Sequence, residues 1–301
     1  MTGLLPLALL LALAPLLPGV AARTVAGLTG RRGAPLLQPY RDLGRLLRKG
    51  VVYSTVTTWI FRAAPMVWVL SAAAAALMMP LDGRFAPARF PGDLFFFAGF
   101  LALGRWFLTL SALDTGSSFE GMGASRELMI GSFAEPVLFM VFLTLALATG
   151  GLSLSELFGA PVGGAWTRVG ASLAMVGMSL ALLLLAEAAR GPVDDPATHL
   201  ELTMIHEVMI LDHSGPDLAL ILYGSALRFA LFAALLVDLA WPRTGYSTLA
   251  ATAGLAAGLV AVAMLVGVVE SSMARLRMAR IPQYVFSAGV LAALGALLLI
   301  R

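Results

Sequence analysis

The sequence contains no cysteine among its 301 residues. A chain without thiols forms no disulfide, holds no cysteine-ligated iron–sulfur cluster and carries out no thiolate chemistry. If the protein takes part in redox chemistry, its partners therefore carry the electrons.

Charged residues are scarce as well. They make up 12% of the chain, whereas soluble domains contain about 25%. Hydrophobic residues make up 59%, and the mean hydropathy is +0.90. So few charges cannot cover the surface of a water-soluble globule of this size. The composition excludes a disordered chain, a nucleic-acid-binding protein and an ordinary cytosolic enzyme, and it indicates a polytopic protein of the lipid bilayer.

Eight apolar stretches are long enough to cross a membrane, since about 20 helical residues span roughly 30 Å of hydrocarbon. They take up most of the chain, and no internal repeat is visible. We therefore predict an all-α polytopic membrane protein with about eight transmembrane helices in a single integral membrane domain, residues 1–301. The stretches lie near residues 3–22, 58–79, 94–113, 134–152, 169–189, 218–240, 249–269 and 282–300.

Basic residues predict the orientation, because they collect on the cytoplasmic side of membrane proteins. With the N-terminus outside, twelve basic residues fall in cytoplasmic segments and five fall outside. This bias predicts eight helices with both termini outside. A cleaved signal peptide is the alternative for residues 3–22, but no basic residue precedes them and the basic block 23–49 follows, which favours a retained helix. The cytoplasmic segments are then 23–57, 114–133, 190–217 and 270–281.

Ionisable residues are concentrated in residues 187–217, which also hold all three histidines. Asp195 followed by Pro196 is typical of a helix start, and Gly215 followed by Pro216 of a helix end. The spacing predicts a short helix of about 16 residues on the cytoplasmic side, between the fifth and sixth spans. Its apolar residues lie on more than one face, which indicates burial among protein rather than contact with lipid.

His199, His206 and His213 are seven residues apart and would share one face of that helix. Neighbours two turns apart are separated by roughly 10 Å, too far for one metal ion to bind both, and we therefore predict no metal site. Two interpretations stay open: a polar seam that hydrogen-bonds to its neighbours, or groups that exchange protons near neutral pH. Glu201 and Asp212, three turns apart, could act only as separate steps of a relay.

Four carboxylates lie within or at the ends of the apolar stretches: Glu135, Glu187, Asp238 and Glu270. A charge at the bilayer centre costs about 2.5–3.5 kcal/mol, and such side chains usually face a cavity or a partner. A proton pathway and a structural ion pair are equally consistent with Glu135 and Glu187. An ion pair is favoured for Asp238, and the end position of Glu270 requires no function. The arginines available as partners are Arg62, Arg105 and Arg228.

A third polar segment, residues 114–127, contains Gly116, Gly121 and Gly123. Three glycines predict a flexible, tightly turning loop, which we expect to pack against another subunit. The glycine-rich phosphate-binding motif that ends in Gly-Lys-Ser or Gly-Lys-Thr is absent from the sequence.

Three segments resemble the complex I subunit 1 family. The run from Glu187 to Pro196, followed by Glu201 and Leu202, resembles the loop between the fifth and sixth helices of that subunit. The longer form of the loop, residues 198–219, resembles the branch found in membrane-bound group 4 nickel–iron hydrogenases such as formate hydrogenlyase and hydrogenase-4. Residues 112–127 and 270–282 resemble the same branch.

The resemblance implies a membrane anchor that docks a hydrophilic redox arm onto a membrane arm and couples electron transfer to ion translocation. The chain itself would be a non-catalytic subunit without a bound cofactor, and nickel–iron (NiFe) and iron–sulfur centres would lie in its partners. Those partners would be hydrogenase-like large and small subunits, an iron–sulfur subunit and antiporter-like membrane subunits. The expected location is the cytoplasmic (inner) membrane of a bacterium or archaeon.

The same resemblance implies the site residues. Acidic residues of the loop and of the spans would form a proton pathway, and neighbouring loop residues would face the hydrogenase-like arm. The expected proton-pathway residues are Glu135, Glu187, Glu201, Glu207, Asp212 and Glu270. The expected interface residues are Arg190, Asp194, Asp195, His199, His206, Arg275, Arg277 and Arg280.

Two departures from the family pattern bear on function. The segment between Glu201 and Ser214 is longer than in complex I, which weakens the expectation of a bound quinone, and Glu120 stands where a small residue is expected. Three alternatives stay open: the quinone-chamber subunit of an NADH:quinone oxidoreductase, a secondary ion transporter, and a purely structural anchor. Repeated halves and broken helices, which are common in transporters, are not visible in the sequence.

Overall fold

The computed structural model describes residues 4–83, 86–191, 193–194, 204–243 and 245–300. These residues form helices joined by turns, and no β-strand occurs among them, which confirms the predicted all-α class. The described residues contain the α-helices α1 (Leu4–Leu13), α2 (Leu16–Leu28), α3 (Gln38–Leu46), α4 (Trp59–Leu77), α5 (Asp93–Asp114), α6 (Ser118–Thr149), α7 (Leu154–Leu157), α8 (Ala160–Glu187), α9 (Gly215–Ala240), α10 (Thr248–Ser272) and α11 (Ile281–Ile300). Two short 3-10 helices cover Glu207–Ile210 and Met278–Arg280.

Seven helices of the described chain are long and apolar enough to cross a membrane: α4, α5, α6, α8, α9, α10 and α11. The pair formed by α1 and α2 raises the number to eight when it is counted as one span. The predicted architecture of about eight spans is thereby confirmed, and the orientation of the termini stays a prediction.

The first span is a bent pair rather than one straight helix. α1 and α2 meet at an angle of 46° next to Pro15, because proline lacks the backbone N–H that would continue the helical ladder. Both halves pack on the bundle. Leu10 and Leu17 are fully buried, and a Cβ at Gly267 of α10 would lie 2.7 Å from the carbonyl oxygen of Ala21.

Capping residues set the ends of several spans. The Thr58 hydroxyl accepts a hydrogen bond from the Ile60 N–H at the start of α4 (3.3 Å), and the Ser247 hydroxyl accepts one from the Ala250 N–H at the start of α10 (3.3 Å). Gly150 ends α6 in the left-handed conformation (φ +77°), which glycine adopts without strain.

The glycine-rich segment 114–127 is mostly helical, and the prediction of a loop there is wrong. α6 begins at Ser118 and runs to Thr149, and the turn is confined to the residues around Gly116 (φ +69°). The glycines serve close packing instead. A Cβ at Gly123 would lie 2.3 Å from Cγ1 of Val208, and the helix can therefore receive the segment that precedes α9.

The segment between α8 and α9 folds back into the end of the bundle. α8 ends at Glu187, and Ala189 adopts a positive φ of +46° that turns the chain sharply. The expected burial of the segment is confirmed for its described part, since Met204, Ile205, Val208 and Met209 are buried.

The helix predicted in this segment is shorter than expected. Residues 204–214 contain only the 3-10 helix Glu207–Ile210, and residues 195–203 lie outside the described residues. Ser214 is the N-cap of α9, and Pro216 lies in its first turn. Gly215 and Pro216 therefore mark the start of a helix and not its end, which is why the sequence prediction placed the boundary wrongly.

α9 is the most enclosed of the spans. In its most apolar 18 residues 72% are buried, against 28% in the last span. It packs against α4, α8 and α10, and on its remaining side against α3. Since α9 meets protein on most faces, it can carry a charged side chain without exposing it to lipid.

Candidate functional site

Five charged residues from four spans form one connected group, here called the Arg105 network: Arg105, Glu127, Glu135, Glu187 and Arg228. Arg105, on α5, contacts all three carboxylates, and its side chain is only 5% exposed. Its Nη1 donates to Glu135 Oε1 at 2.8 Å, and its Nη2 donates to Glu187. Its Nε lies 3.3 Å from Glu127 Oε1. The network therefore joins α5, α6 and α8 inside the bundle.

Arg228, on α9, is the second cation of the network. Its Nη2 donates to Glu187 Oε2 at 3.2 Å, and its Nη1 donates to the carbonyl oxygen of Leu101 at 2.9 Å. The guanidinium carbon lies 4.3 Å from the centre of the Trp68 ring, within cation–π range. Glu187 is thus shared by two guanidinium groups. Of the three arginines that the sequence offered as partners, Arg105 and Arg228 are the ones that pair with it.

Two glycines make room for these large side chains. A Cβ at Gly131 of α6 would lie 2.8 Å from Nη1 of Arg105. A Cβ at Gly224 of α9 would lie 2.2 Å from Cδ1 of Trp68, the ring that covers Arg228. Glycine at both positions lets the helices approach closely enough for the ion pairs to form.

The Arg105 network contains more acidic than basic groups. Three carboxyls face two guanidinium groups, which leaves a net charge of −1 when every group is ionised. An unbalanced charge inside a bundle is unfavourable, and one bound proton restores neutrality. The arrangement can therefore hold and release a proton among its carboxyl groups.

The three carboxyls differ in their access to the surroundings. The side chain of Glu187 is 7% exposed, that of Glu127 17% and that of Glu135 37%. A cavity of about 10 Å³ touches Arg105, Glu135 and Glu187 and is lined otherwise by apolar side chains. This volume is near the lower limit for one water molecule. Glu135 is consequently the most exposed carboxyl of the Arg105 network.

His206 lies beside the network, and Trp68 contacts both His206 and Arg228. Its Nε2 is 2.9 Å from the Ser225 hydroxyl, and its ring centre is 5.7 Å from that of Trp68. Burial lowers the pKa of His206 to about 4. The negative charge of Asp194 raises this pKa, but by less than burial lowers it. A histidine that is neutral at pH 7 suits the interpretation as a hydrogen-bonded polar residue better than that of a group that exchanges protons near neutrality.

His213 occupies a different environment, and the expectation that the histidines share one helix face does not hold for His206 and His213. Its ring stacks on Phe61 with 3.9 Å between ring centres, and its Nε2 lies 3.4 Å from the Ser111 hydroxyl. Burial lowers the pKa of His213 to about 4. His199 lies outside the described residues. Within the described part of the chain, no three His, Asp or Glu side chains are close enough together to hold a metal ion.

The remaining expected proton-pathway residues are spread over the same end of the bundle. Glu207 is half-buried in the 3-10 helix, and Asp212 is exposed. Glu270 lies near the end of α10, with its Oε2 3.7 Å from Nη1 of Arg190. Glu201 lies outside the described residues. Of the six expected residues, the structure places Glu135 and Glu187 in the Arg105 network.

Several expected interface residues make contacts within the chain. Asp194 is 4% exposed, accepts a hydrogen bond from Arg275 at 2.8 Å, and also accepts the N–H groups of Ile205 (3.1 Å) and His206 (3.4 Å). The Asp194 carboxylate therefore holds the segment that precedes α9 in place. Arg277 and Arg280 are exposed, and Asp195 lies outside the described residues.

Two acidic residues of this end were missed as site residues. Glu127 is one of the network carboxyls, and Glu120, 1% exposed, accepts the Asp212 N–H at 3.0 Å. Glu127 and Glu135 are eight residues apart, and this spacing places them on one face of a helix. The signal was present in the sequence, but the glycines favoured a loop and concealed the helical spacing.

Another buried ion pair lies near the far end of α9. Asp238 and Arg243 are each 1% exposed and pair with one another, and Arg243 also donates to the carbonyl oxygen of Leu81 at 3.1 Å. The ion pair favoured for Asp238 is therefore present, with Arg243 as its partner instead of one of the three arginines considered.

A larger cavity of about 270 Å³ lies between the α1–α2 bend, α3 and α9. Its walls are mostly apolar and include Pro18, Leu43 and Phe229. Arg190 and Ser225, the hydroxyl that contacts His206, provide polar groups on its lining. The cavity can hold a molecule with an apolar body and a polar end.

Known proteins are similar to this chain over most of its length. A family model described as NADH dehydrogenase matches residues 2–301. The chain is 34% identical over 234 residues to hydrogenase-4 component C of Escherichia coli (strain K12), which covers 78% of this chain and 73% of the relative. It is 32% identical over 279 residues to formate hydrogenlyase subunit 4 of the same organism, which covers 89% and 88%. It is 29% identical over 195 residues to the H subunit of NADH-quinone oxidoreductase from Rubrobacter xylanophilus, which covers 64% and 57%.

A solved structure has the same fold over nearly the whole chain. It is the membrane-bound sulfane sulfur reductase, described as an archaeal respiratory membrane complex. The match has a TM-score of 0.81 and covers 99% of this chain and 98% of the other, at 19% sequence identity.

Proposed function

This chain belongs to the NADH dehydrogenase family of membrane subunits, and on that basis we propose that it is the membrane anchor and proton-pathway subunit of a membrane-bound hydrogenase or related respiratory complex. In this role it docks a hydrophilic redox arm to the membrane arm and couples electron transfer to ion translocation. The location that follows is the cytoplasmic membrane. NiFe and iron–sulfur centres would belong to the partner subunits.

The observation that carries the proposal is the excess of one carboxyl in the Arg105 network. A purely structural ion-pair group needs no more acids than bases, whereas a proton-transfer group needs a carboxyl that can be neutral in one state and ionised in another. Three carboxyls around two guanidinium groups meet that requirement inside a membrane-spanning bundle.

The proton steps follow from the positions of the carboxyls. Glu187, held by two guanidinium groups, is the most firmly ionised member and keeps Arg105 and Arg228 in place. Glu135 makes one contact to Arg105 and is the most exposed, and it is therefore the carboxyl that accepts and returns the proton. A water molecule in the small cavity between Glu135 and Glu187 would complete the hydrogen-bonded path.

The test is Glu135→Gln in the assembled complex, reconstituted in sealed vesicles. The substitution removes the proton-binding group but leaves Arg105 paired with Glu127 and Glu187, and the fold is therefore retained. We expect the rate of proton translocation to fall at least about tenfold, which corresponds to an increase of about 1.4 kcal/mol in a rate-limiting barrier. Electron transfer within the hydrophilic arm, measured with an artificial acceptor, should persist.

Glu156→Gln is the matched control, because Glu156 pairs with Arg89 at 2.8 Å in an exposed position outside the spans. It should leave translocation unchanged. A Glu135→Gln complex that assembles and translocates at the control rate would refute the proton pathway. Loss of the hydrophilic arm during purification of both variants would instead point to a docking defect.

A second candidate function has one observation in its favour, the cavity of about 270 Å³ at the α1–α2 bend. Its apolar walls and polar lining groups suit a quinone, as in a quinone-chamber subunit. Ala226→Phe fills the cavity from α9, since Ala226 lines it. If a quinone is the electron acceptor, this variant should lose quinone reduction and inhibition by quinone analogues. Unchanged electron transfer in Ala226→Phe would exclude that function.

A further inference from the structure

Positive charge is concentrated on and around α3. Residues 23–49 contain seven basic residues and one acidic residue, Asp42. Arg41, Arg48 and Lys49 are exposed and make no ion pair within the described residues. Arg45 contacts Asp42 only at 3.7 Å, and its side chain is 72% exposed. In the part of the chain that the structure describes, most of these charges therefore have no counterpart.

Large apolar side chains are exposed in the same segment. Leu36, Leu37 and Leu47 are 42%, 55% and 58% exposed. The helical turns continue past the end of α3, because the N–H of Leu47 bonds to Leu43 and that of Arg48 to Arg45. Exposed leucines beside exposed arginines indicate a surface that meets hydrocarbon and polar groups at once.

The arginines and the leucines point in different directions. Arg41, Arg45 and Arg48 follow one another at intervals of four and three residues, which places them on one face. Leu43 and Leu47 share another face. This face is turned toward the bundle, because Leu43 lines the cavity of about 270 Å³. The segment is therefore amphipathic, with a cationic side away from the bundle.

Contacts to the first span fix α3 at the membrane. The Tyr40 hydroxyl donates to the carbonyl oxygen of Ala12 in the α1–α2 bend. A Cβ at Gly19 of α2 would lie 2.9 Å from the carbonyl oxygen of Leu36. Since α1 and α2 together form a bent span, α3 packs against an element that we expect to meet lipid, and its exposed leucines lie beside that element.

We propose that α3 and the turn after it form a binding site for an anionic phospholipid. Arg41, Arg45 and Arg48 bind the phosphate groups, and Leu36, Leu37 and Leu47 insert among the acyl chains. Each basic residue near an anionic surface strengthens this attraction. A lipid is favoured over an acidic protein surface because acyl chains can cover the exposed leucines. A polar protein surface would bind the arginines but leave the leucines exposed to water. The site is independent of the proton pathway.

The test is lipid retention by the purified full chain, measured by native mass spectrometry after exchange into an equimolar mixture of phosphatidylglycerol and phosphatidylcholine. The wild-type chain should retain phosphatidylglycerol preferentially. The triple variant Arg41→Gln/Arg45→Gln/Arg48→Gln should bind it on the order of 100-fold more weakly, since three basic contacts are lost. The triple variant with Lys at the same positions should keep most of the preference.

Arg277→Gln/Arg280→Gln is the matched control, because these arginines are exposed and lie in a different basic segment. It should retain phosphatidylglycerol like the wild type. Unchanged preference in the triple Gln variant would overturn the proposal. The proposal would also be overturned if the triple Gln variant retained the lipid but lost co-purifying soluble subunits. That result would assign the surface to a protein partner.

Discussion

Arg105 holds three carboxylates at one point of the bundle through three different nitrogen atoms. A guanidinium group is suited to this task because it is planar, remains ionised and presents five donors in fixed directions. Arg228 contacts Glu187 from the other side. The three acids of the Arg105 network thus depend on two arginines that the sequence suggested only as pairing partners.

Replacement of Arg105 by Leu should destabilise the chain strongly. The substitution removes the guanidinium that contacts Glu127 and Glu135 and leaves only Arg228 beside Glu187. Removal of one partner from a buried ion pair costs about 3–5 kcal/mol. The free energy of unfolding, measured by SDS titration of the purified protein, should fall by that amount. Arg105→Lys should lie in between, because one ammonium nitrogen cannot replace three separate contacts. A loss no greater than that of the exposed control Arg168→Leu would contradict this interpretation of the network.

Stability should also depend on pH through His206. The pKa of His206 is about 4 in the folded chain and 6.5 for an unperturbed imidazole, and the unfolded chain therefore binds the proton first as the pH falls. The contribution of His206 to stability is thus constant above about pH 6.5 and is lost between about pH 6.5 and 4. Thermal unfolding midpoints measured across this range should fall less steeply in His206→Gln than in the wild type. Identical pH profiles would show that His206 is not buried in its neutral form.

Part of the site could be predicted from residues alone. Glu135 and Glu187 stand out because carboxylates are costly within apolar stretches, and Arg105 and Arg228 for the same reason. Which arginine meets which acid could not be predicted, since this depends on how α5, α6, α8 and α9 pack. The ionisable residues of 187–217 were expected to form a proton pathway and a docking surface, and their described members are distributed over several separate contacts.

At the scale of the elements, the glycines of α6 allow close packing between helices, whereas glycine in a sequence usually indicates flexibility. α6 has three glycines in its first half, and two of them, Gly123 and Gly131, face tightly packed neighbours. Hydropathy therefore predicted the apolar second half of α6 correctly. It missed the more polar first half, which contains the glycines. The segment before α9 was mispredicted for a related reason, because glycine and proline mark both the ends and the starts of helices.

Gly123→Val should disturb the packing between α6 and the segment that precedes α9. A Cβ there would lie 2.3 Å from Val208 and 2.9 Å from Met209, and one of the two elements must move. We expect a lower unfolding midpoint and faster proteolysis within residues 204–214. Gly121→Val is the matched control, since nothing lies within 4 Å of its Cβ position. Equal behaviour of the two variants would argue against the contact.

At the scale of the whole molecule, composition and hydropathy predicted the class and the number of spans, because every span must be apolar along its length. The bend of the first span at Pro15 and the enclosed position of α9 could not be predicted, since both result from tertiary packing. The relatives are a component of hydrogenase-4 and a subunit of formate hydrogenlyase, which supports the proposal that this membrane bundle is one subunit of a larger complex.

The absence of cysteine makes the predicted orientation testable. Arg31→Cys and Arg168→Cys each introduce one thiol at an exposed position into a chain that otherwise has none. In intact cells, a membrane-impermeant maleimide should label Arg168→Cys, predicted to lie outside, and should label Arg31→Cys only after the membrane is opened. The reverse pattern would invert the topology, and the cytoplasmic docking face would then have to be reassigned.

The most direct measurement is infrared difference spectroscopy of the assembled complex before and after reduction. If a carboxyl of the Arg105 network takes up and releases the translocated proton, the spectrum contains a protonated-carboxyl band that shifts in deuterated water. That band should be lost in Glu135→Gln and kept in the control Glu156→Gln. A spectrum without a carboxyl band, or one that is the same in both variants, would contradict a proton-transfer role for the network.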